Sequence, residues 1–161
     1  MRTIALKIGR VVLDILILII RYLPGNIGVL LRRFYYKIRF KHCGKNLIVG
    51  VGVIIDGAAL ISVGDNVVID SYCIIATSRD YVGDVRIKRN VHDVLEFGNI
   101  VIEDNVHIVQ FCIIMGHGGV LIRSFSTLSA NCKIYSMTNL AYDPKDRSKV
   151  TSIMPYSQAI F

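Results

Sequence analysis

Histidine is the side chain best suited to proton transfer near neutral pH, and this sequence has four. His117 lies in the run Gly116-His117-Gly118-Gly119, where the flanking glycines leave backbone N–H groups approachable. We therefore predict that His117 acts as a general base and that Gly116, Gly118 and Gly119 approach a bound cofactor. A simple turn residue beside glycines is the alternative for His117.

The other three histidines have different surroundings. His92 lies in a long irregular stretch between Asn90 and Asp93, and it is our second candidate for the base. His42 precedes the regular part of the sequence and is expected on the surface or in a cap. His107 falls at an outward-facing position of the repeat described next, and we expect a solvated side chain there.

The elements that must position these residues are six-residue repeats. Each repeat begins with a branched aliphatic residue and has Val, Cys or Ser at its fifth position, a pattern that forms short parallel strands joined by tight corners, three to a coil. The aliphatic side chains should fill the interior beside the small fifth residues. Cys73, Cys112 and Cys132 occupy fifth positions, so we expect free, buried thiols in a reducing compartment. The clearest repeats are 63–68, 69–74, 102–107, 108–113, 122–127 and 128–133.

Aligning the aliphatic positions shows where the repeats are interrupted. The step from Ile55 to Val63, like the step from Ile114 to Ile122, is longer by two positions than the six-residue repeat. The same step from Ile75 reaches its equivalent aliphatic only at Ile102, because a loop, 76–99, is inserted there. One corner of every coil should therefore carry irregular loops, and such loops on a rigid scaffold are where function tends to lie.

These in-phase repeats resemble the hexapeptide-repeat family, whose members form an all-β, left-handed parallel β-helix. The resemblance runs from about Leu47 to at least Ile134, and it is to bacterial sugar O-acetyltransferases that modify envelope polysaccharides. It implies acetyl-CoA or another acyl-CoA as co-substrate, no metal, a sugar or saccharide acceptor, and a homotrimer. His117 or His92 would then be the base for acyl transfer, and Arg79, Asp80 and Asp93 would bind sugar hydroxyls, although a solvated loop explains these three equally well.

Two features depart from that family. Its sugar O-acetyltransferases have a catalytic histidine after a segment like Ile134–Thr138, whereas this chain has Asn139 there. Asparagine cannot act as a base, so we predict only that Asn139 orients substrate. Family members also continue for several coils that build the pantetheine groove. No further repeat is evident after Ile134, and the resemblance implies that this chain is truncated at its C-terminus.

The first 45 residues differ in kind from the remainder. They hold ten of the 19 Lys and Arg residues and one of the 12 acids, which gives +9, whereas residues 46–161 carry nine basic and eleven acidic residues, or −2. This distribution argues against nucleic-acid binding by the main body and for an anionic partner near the N-terminus. We divide the chain into a helical segment, 1–45, and a β-helix domain, 46–161.

The segment 1–45 has two apolar helical faces separated by Pro24-Gly25-Asn26. Ten residues separate Arg10 from Arg21, too few for a membrane span, and no signal-peptide cleavage site follows. We expect a pair of in-plane helices whose Lys and Arg meet anionic headgroups, and so a peripheral, cytoplasmic location at the inner membrane face. A helical cap over the open end of the β-helix is the alternative. The two apolar faces comprise Ile4, Ile8, Val11, Val12, Ile15, Ile19 and Leu23, and then Ile27, Leu30, Leu31, Phe34 and Ile38.

Two other functions remain open from the sequence alone. A zinc hydratase on this fold would bring three histidines together, but His92, His107 and His117 have unsuitable spacings and His107 falls on a different face. A non-catalytic β-helix that serves as a scaffold or membrane-associated assembly module is the second alternative, and the presence of Asn139 favours it.

Overall fold

The computed structural model describes residues 2–79, 95–96, 98–136, 138–139, 153–154 and 159–160. They form a left-handed parallel β-helix preceded by two α-helices, α1 (Arg2–Tyr22) and α2 (Gly25–Lys37), which confirms the predicted fold class. A short 3-10 helix spans Ala58–Leu60. The strands are β1 (His42–Cys43), β2 (Ile48–Val49), β3 (Ile54–Asp56), β4 (Ile61–Val63), β5 (Val68–Ile69), β6 (Ile74–Ala76), β7 (Ile100–Ile102), β8 (His107–Ile108), β9 (Ile113–Met115), β10 (Val120–Ile122), β11 (Thr127–Leu128), β12 (Lys133–Tyr135), β13 (Thr138–Asn139), β14 (Ile153–Met154) and β15 (Ala159–Ile160).

The strands stack into three parallel sheets, one on each side of the coil. Sheet A contains β1, β4, β7, β10 and β15, sheet B contains β2, β5, β8 and β11, and sheet C contains β3, β6, β9 and β12. Ile55, Ile75, Ile114 and Ile134 pair in one row, as the repeat phasing predicts. Each coil therefore passes through sheets A, B and C in turn, and the third corner, between sheet C and the next strand of sheet A, is the one with extra residues.

The third corner is interrupted twice by the same length of chain. Ile61 of β4 pairs with Ile100 of β7, and Val120 of β10 pairs with Ala159 of β15. The number of residues between the paired positions is the same in both cases. The uninterrupted coil from Ile100 to Val120 takes only about half as much chain. No further repeat is evident in the sequence after Ile134, but β15 nevertheless returns to sheet A. Likewise, β1 already pairs with β4, so the β-helix begins before residue 46.

The core is a stack of the aliphatic and small residues that the repeat predicts. Every first-position aliphatic in the three rows is buried, and so are Cys73 and Cys112. All four cysteines are free thiols. Burial raises the pKa of Cys73 to about 11 and also raises the pKa of Cys112 above its usual range.

Tight corners require left-handed backbone at one position in each repeat. At the first corner, between sheets A and B, this position is filled by Asn46, Asn66, Asn105 and Phe125. Asparagine tolerates positive φ better than most residues. The three asparagine side chains also form a ladder, in which Asn46 Nδ2 donates to Asn66 Oδ1 (3.0 Å) and Asn66 Nδ2 donates to Asn105 Oδ1 (3.1 Å).

The two α-helices close the first coil. Its open edge presents backbone groups that no further strand pairs, and side chains and a helix end satisfy three of them. Arg32 Nε donates to Val49 O (2.8 Å), Tyr36 Oη lies 3.3 Å from Val53 O, and the Gly52 N–H donates to Arg21 O (3.0 Å). The cap that we considered as an alternative is therefore present.

Arg32 departs from its predicted role. We expected it at the lipid headgroups with the other basic residues, but its side chain is only 1% exposed. Its Nη1 donates to Leu23 O (2.7 Å) and Ile20 O (3.2 Å), at the end of α1. That prediction is wrong because the carbonyls at the coil edge and at the helix end need donors, and a guanidinium supplies several at once.

Candidate functional site

The third corner collects the irregular segments of the coils on one edge of the molecule. In the first coil it carries the 3-10 helix Ala58–Leu60, in the second the inserted segment after Ala76, and in the third the turn Gly116–Gly119. The chain leaves the fourth coil at the same corner after Tyr135. Within the described residues, the ends of these segments therefore lie at the same corner of successive coils, as the repeat phasing predicts.

Buried polar side chains are concentrated at this corner. In the described part of the chain, four polar or charged residues are buried, and three of them, Thr77, Asn99 and Ser136, lie here. Buried polar groups are costly unless they are hydrogen-bonded, so they mark places where the backbone needs side-chain partners. The third corner is therefore held by a specific polar network and not by apolar packing alone.

Thr77 joins the two ends of the inserted segment to the glycine turn. Its Oγ1 lies 2.6 Å from Gly98 O and 3.1 Å from Gly116 O. Thr77 comes directly after β6 and Gly98 shortly before β7, so one hydroxyl contacts the exit and the return of the insertion. Because Gly116 precedes His117, the hydroxyl also fixes the start of the turn that carries the candidate base.

Ser136 supports the other side of the turn. Its Oγ accepts a hydrogen bond from the Gly118 N–H (2.9 Å) and donates to Met115 O (3.0 Å). The Gly116 N–H donates to Ala76 O and the Gly119 N–H to Gly116 O. We predicted that the three glycines approach a cofactor. Their amide N–H groups instead all donate to partners within the protein, and these hydrogen bonds fix the turn.

His117 is held by its backbone at the centre of this arrangement. Its carbonyl accepts a hydrogen bond from the Gly98 N–H (3.0 Å), and the residue is partly exposed. Thr77 on one side and Ser136 on the other therefore anchor the residues before and after it. Its role as a base stays a prediction, which this rigid, partly exposed position supports.

Arg79 lies just after Thr77 and is tied to the returning end of the insertion. Its Nη2 lies 3.0 Å from Glu96 Oε2 and 3.2 Å from Asn99 Oδ1. Asn99 Nδ2 in turn donates to Glu96 Oε2 (3.3 Å). The ion pair is largely exposed, so it stabilises the loop modestly and leaves the guanidinium accessible to an anionic or hydroxyl-rich ligand.

Four other predicted site residues are not brought to the third corner by the described part of the structure. Asp80, His92 and Asp93 lie outside the described residues. Asn139 belongs to β13, which pairs antiparallel with β14 beyond the third corner, and Asn139 is opposite Ile153. Their predicted roles in catalysis and substrate binding therefore stay predictions.

Comparisons with known proteins find one relative in sequence and one neighbour in fold, and both are named as acyltransferases. No protein-family model matches the chain. A dTDP-4-amino-4,6-dideoxy-D-glucose acyltransferase of Escherichia coli is 29% identical over 97 residues, which are 60% of this chain and 41% of that protein. A mutant of AntD, an N-acyltransferase from Bacillus cereus, in complex with dTDP and coenzyme A, has the same fold, with a TM-score of 0.56 at 20% identity, and the match covers 80% of this chain and 62% of that one. The chain thus spans less than two thirds of either protein.

One pair of side chains that could take part in proton transfer was not predicted from the sequence. His107 Nε2 lies 3.0 Å from Asp70 Oδ2 on the outer surface of sheet B, and both side chains are partly exposed. We expected His107 to be an outward-facing, solvated side chain, and the pairing with Asp70 was not predicted. The repeat phasing contained the signal, because Val68 and His107 are neighbours in adjacent coils and Asp70 faces outward two residues later. A carboxylate beside an imidazole is an arrangement that also orients catalytic bases.

The described residues contain no group of three His, Cys, Asp or Glu side chains close enough to hold a metal ion. The histidine triad of the zinc alternative includes His92, which lies outside them.

Proposed function

We propose that this protein is an acyl-CoA-dependent acyltransferase that transfers an acyl group, an acetyl group in the simplest case, to a sugar. The observation that carries the proposal is the combination of a rigid corner that presents His117 with a match, in sequence and in fold, to two acyltransferases. One relative is named for a dTDP-sugar acceptor, and the structural neighbour was crystallised with coenzyme A and dTDP. Both ligand classes suit an exposed edge with irregular loops.

The reaction needs one base and a way to stabilise negative charge. In the proposed mechanism, the imidazole of His117 takes the proton from the acceptor as the acceptor atom bonds to the thioester carbonyl carbon. The tetrahedral intermediate collapses, the C–S bond breaks, and the proton passes to the coenzyme A sulfur. Because the amides of Gly116, Gly118 and Gly119 are engaged, donors for the oxyanion must come from elsewhere at this corner or from a rearranged turn.

The acceptor atom distinguishes two forms of the proposal. The repeats resemble sugar O-acetyltransferases, so the first form is transfer to a hydroxyl of an envelope sugar or lipid-linked saccharide. Both compared proteins favour the second form, transfer to an amine, because one is named for a 4-amino sugar and the other is an N-acyltransferase. In either form we propose that Arg79, which contacts Glu96 and Asn99 at the same corner, binds the acceptor, and that Asp80, Asp93 and Asn139 make further contacts. Assembly as a homotrimer and a cytoplasmic site at the inner membrane face belong to the same proposal.

The test is an acetyl-transfer assay on the full chain. The protein is incubated with acetyl-CoA and either dTDP-4-amino-4,6-dideoxy-D-glucose or its 4-hydroxyl analogue, and both free thiol and acetylated product are measured. Hydroxylamine treatment separates an ester, which it cleaves, from an amide, which it does not. Product with one acceptor only decides between the two forms of the proposal.

Three histidine variants assign the base. His117→Ala should lower kcat by a factor of about 10²–10⁴, the usual contribution of a general base, and leave acetyl-CoA binding unchanged in calorimetry. His42→Ala, an exposed histidine of β1, is the matched control and should retain full activity. Loss of activity in His107→Ala but not in His117→Ala would indicate that His107, paired with Asp70, is the general base. Absence of acetyl-CoA binding in the unaltered chain would overturn the proposal and favour the scaffold.

A further inference from the structure

Helix α2 has the reverse of the polarity expected for a helix that packs on a β-helix. Its buried side consists of Gly28, Arg32 and Tyr36, each one helical turn after the last. Four apolar residues on the opposite side, Ile27, Leu30, Leu31 and Phe34, are exposed, and so is Ile38 just after the helix; Phe34 and Ile38 are 66% and 83% exposed. A cap of a soluble protein buries its apolar stripe, because leaving it in water forgoes the hydrophobic contribution.

Backbone geometry explains how this orientation is maintained. The open edge of the first coil presents carbonyls, and Arg32 and Tyr36 supply the donors for Val49 O and Val53 O. Gly28 permits a close approach to α1, since a Cβ at this position would overlap the Leu23 carbonyl. Polar contacts therefore hold α2 on the coil end, and its apolar side is left directed away from the β-helix.

Helix α1 extends the exposed apolar surface. Between residues 11 and 19 nearly every side chain is an exposed aliphatic, and about half of the surface of each is accessible. Asp14 is the one charged residue in that stretch. Together the two helices and Ile38 after them expose a large set of apolar side chains, all round α1 and on the side of α2 that faces away from the β-helix, and large exposed apolar patches mark interaction sites. They are Val11, Val12, Leu13, Ile15, Leu16, Leu18, Ile19, Tyr22, Ile27, Leu30, Leu31, Phe34 and Ile38.

Basic side chains accompany this surface. Lys37, Arg39 and Lys41 are exposed at the C-terminal end of α2 and just beyond it, and Arg33 is partly exposed on the flank of α2. The acidic side chains of residues 1–45 amount to Asp14 alone. Apolar residues flanked by cations complement a bilayer whose headgroups are anionic. In the described part of the chain, no helix is long and apolar enough to cross a membrane.

We propose that the exposed apolar side of α1 and α2 is a monotopic membrane-binding surface for anionic phospholipid bilayers. The helices lie in the plane of the interface, and the β-helix stands on them with its first coil toward the lipid. The inference specifies the surface that makes the membrane contact included in the proposed function, and its test is independent of catalysis, since lipid binding requires neither acyl-CoA nor an acceptor. The orientation follows from the position of the apolar side opposite Arg32 and Tyr36, which face the coil end.

The absence of tryptophan from the chain permits a direct test. Phe34→Trp places a single tryptophan, which is excited selectively at a wavelength where tyrosine does not absorb, in the proposed surface, and Phe125→Trp places one on the β-helix at a residue that is 82% exposed. Vesicles of phosphatidylcholine with phosphatidylglycerol are added to each full-length variant, and emission wavelength and quenching by brominated lipid are recorded. We expect a blue shift and quenching for Phe34→Trp only, and a much weaker response to phosphatidylcholine alone.

Vesicle flotation with charge variants completes the experiment. Phe34→Glu should weaken partitioning by roughly tenfold or more, whereas Phe125→Glu should not change it. Lys37→Ala should weaken binding to anionic vesicles by about fivefold and leave binding to neutral vesicles unchanged. Absence of vesicle binding would overturn the proposal. So would a lipid-free oligomer that Phe34→Glu dissociates in light scattering, because the surface would then contact a second copy of the chain. Acetyl-transfer activity, measured separately without vesicles, shows whether the catalytic proposal fails with it.

Discussion

Replacing Arg32 by methionine should destabilise the N-terminal end of the molecule more than any other change at a basic residue there. The side chain is buried and donates to three carbonyls, Val49 O at 2.8 Å, Leu23 O at 2.7 Å and Ile20 O at 3.2 Å. Methionine has a similar length and fills much of the same volume, so the substitution removes the donors with little change in packing.

The size of the effect follows from which carbonyls water can reach. An unsatisfied buried acceptor costs about 1–3 kcal/mol, and hydrogen bonds from a charged donor contribute about 1.5–3 kcal/mol each. Ile20 and Leu23 are partly exposed, so water can replace part of their loss, whereas Val49 is fully buried. Removing the desolvated guanidinium offsets some of the penalty, since burial disfavours its charged form and lowers the pKa of Arg32. We therefore expect a net loss of about 2–4 kcal/mol in the free energy of unfolding.

Guanidinium chloride denaturation followed by far-ultraviolet circular dichroism measures this loss. Arg33→Met is the matched control, because Arg33 Nη2 lies 3.5 Å from Asn46 Oδ1 in an exposed contact and its removal should change stability by no more than about 0.5 kcal/mol. A loss below about 1 kcal/mol in Arg32→Met, or equal losses in the two variants, would refute the view that this guanidinium closes the first coil.

Two further predictions concern the core and the third corner. Thr77→Val should lower the free energy of unfolding by about 1–3 kcal/mol, because it removes the hydroxyl that contacts Gly98 O and Gly116 O. Thr77→Ser keeps a hydroxyl and should retain most of the free energy of unfolding in the same denaturation experiment. The pKa of Cys73 is raised from 9.0 to about 11, so the unfolded chain loses this proton first as the pH rises. The contribution of Cys73 to the free energy of unfolding should therefore be fully present below about pH 9 and be lost between pH 9 and 11. In Cys73→Ala, the free energy of unfolding measured by denaturation should change less over this pH range. A pH-independent stability in this range would contradict the assignment.

The fold was predictable because the repeat constrains both composition and phase. A branched aliphatic such as Ile114 at the first position and a small residue such as Cys112 at the fifth leave one way to fill the interior, and six-residue spacing then sets the strand pairing. The longer step between Ile114 and Ile122 placed the third corner correctly. The return of β15 to sheet A was not predictable, because the second interruption separates it from the last clear repeat by a segment with no repeat pattern.

The N-terminal helices show where periodicity alone is insufficient. The apolar and basic faces of α2 were correctly identified, but the pattern cannot show which face packs on the β-helix. The usual rule that apolar residues face inward would have buried Phe34 and exposed Arg32, whereas the structure has the opposite arrangement. The reason is the row of edge carbonyls on the first coil, which arises only when the coil has formed. Tertiary hydrogen bonding therefore overrides the amphipathic pattern here.

Part of the candidate site was visible in the sequence and part was not. The run Gly116–Gly119 identified the turn, but the expected availability of its amides ignored their neighbours, since Ser136 and Ala76 belong to other coils and become partners only when the coils stack. The pairing of His107 with Asp70 was not predicted for the same reason, because it joins side chains that are far apart in sequence. Contacts between coils are long-range in sequence, and a repeat predicts the register of backbones more readily than the meeting of individual side chains.

The proposed orientation on a membrane constrains the acceptor. Strands in neighbouring coils are about 4.8 Å apart, so the third coil, which carries His117, lies about 10 Å beyond the first. The α2 layer adds roughly another 10 Å between the first coil and the lipid. A monosaccharide attached directly to a lipid phosphate does not extend that far, whereas a soluble nucleotide sugar or an extended saccharide chain reaches the third corner. If the acceptor is a nucleotide sugar, like the one in the name of the Escherichia coli relative, vesicle binding and catalysis should be separable. Phe34→Glu would then weaken membrane binding by roughly tenfold or more while leaving acetyl transfer to the soluble acceptor intact.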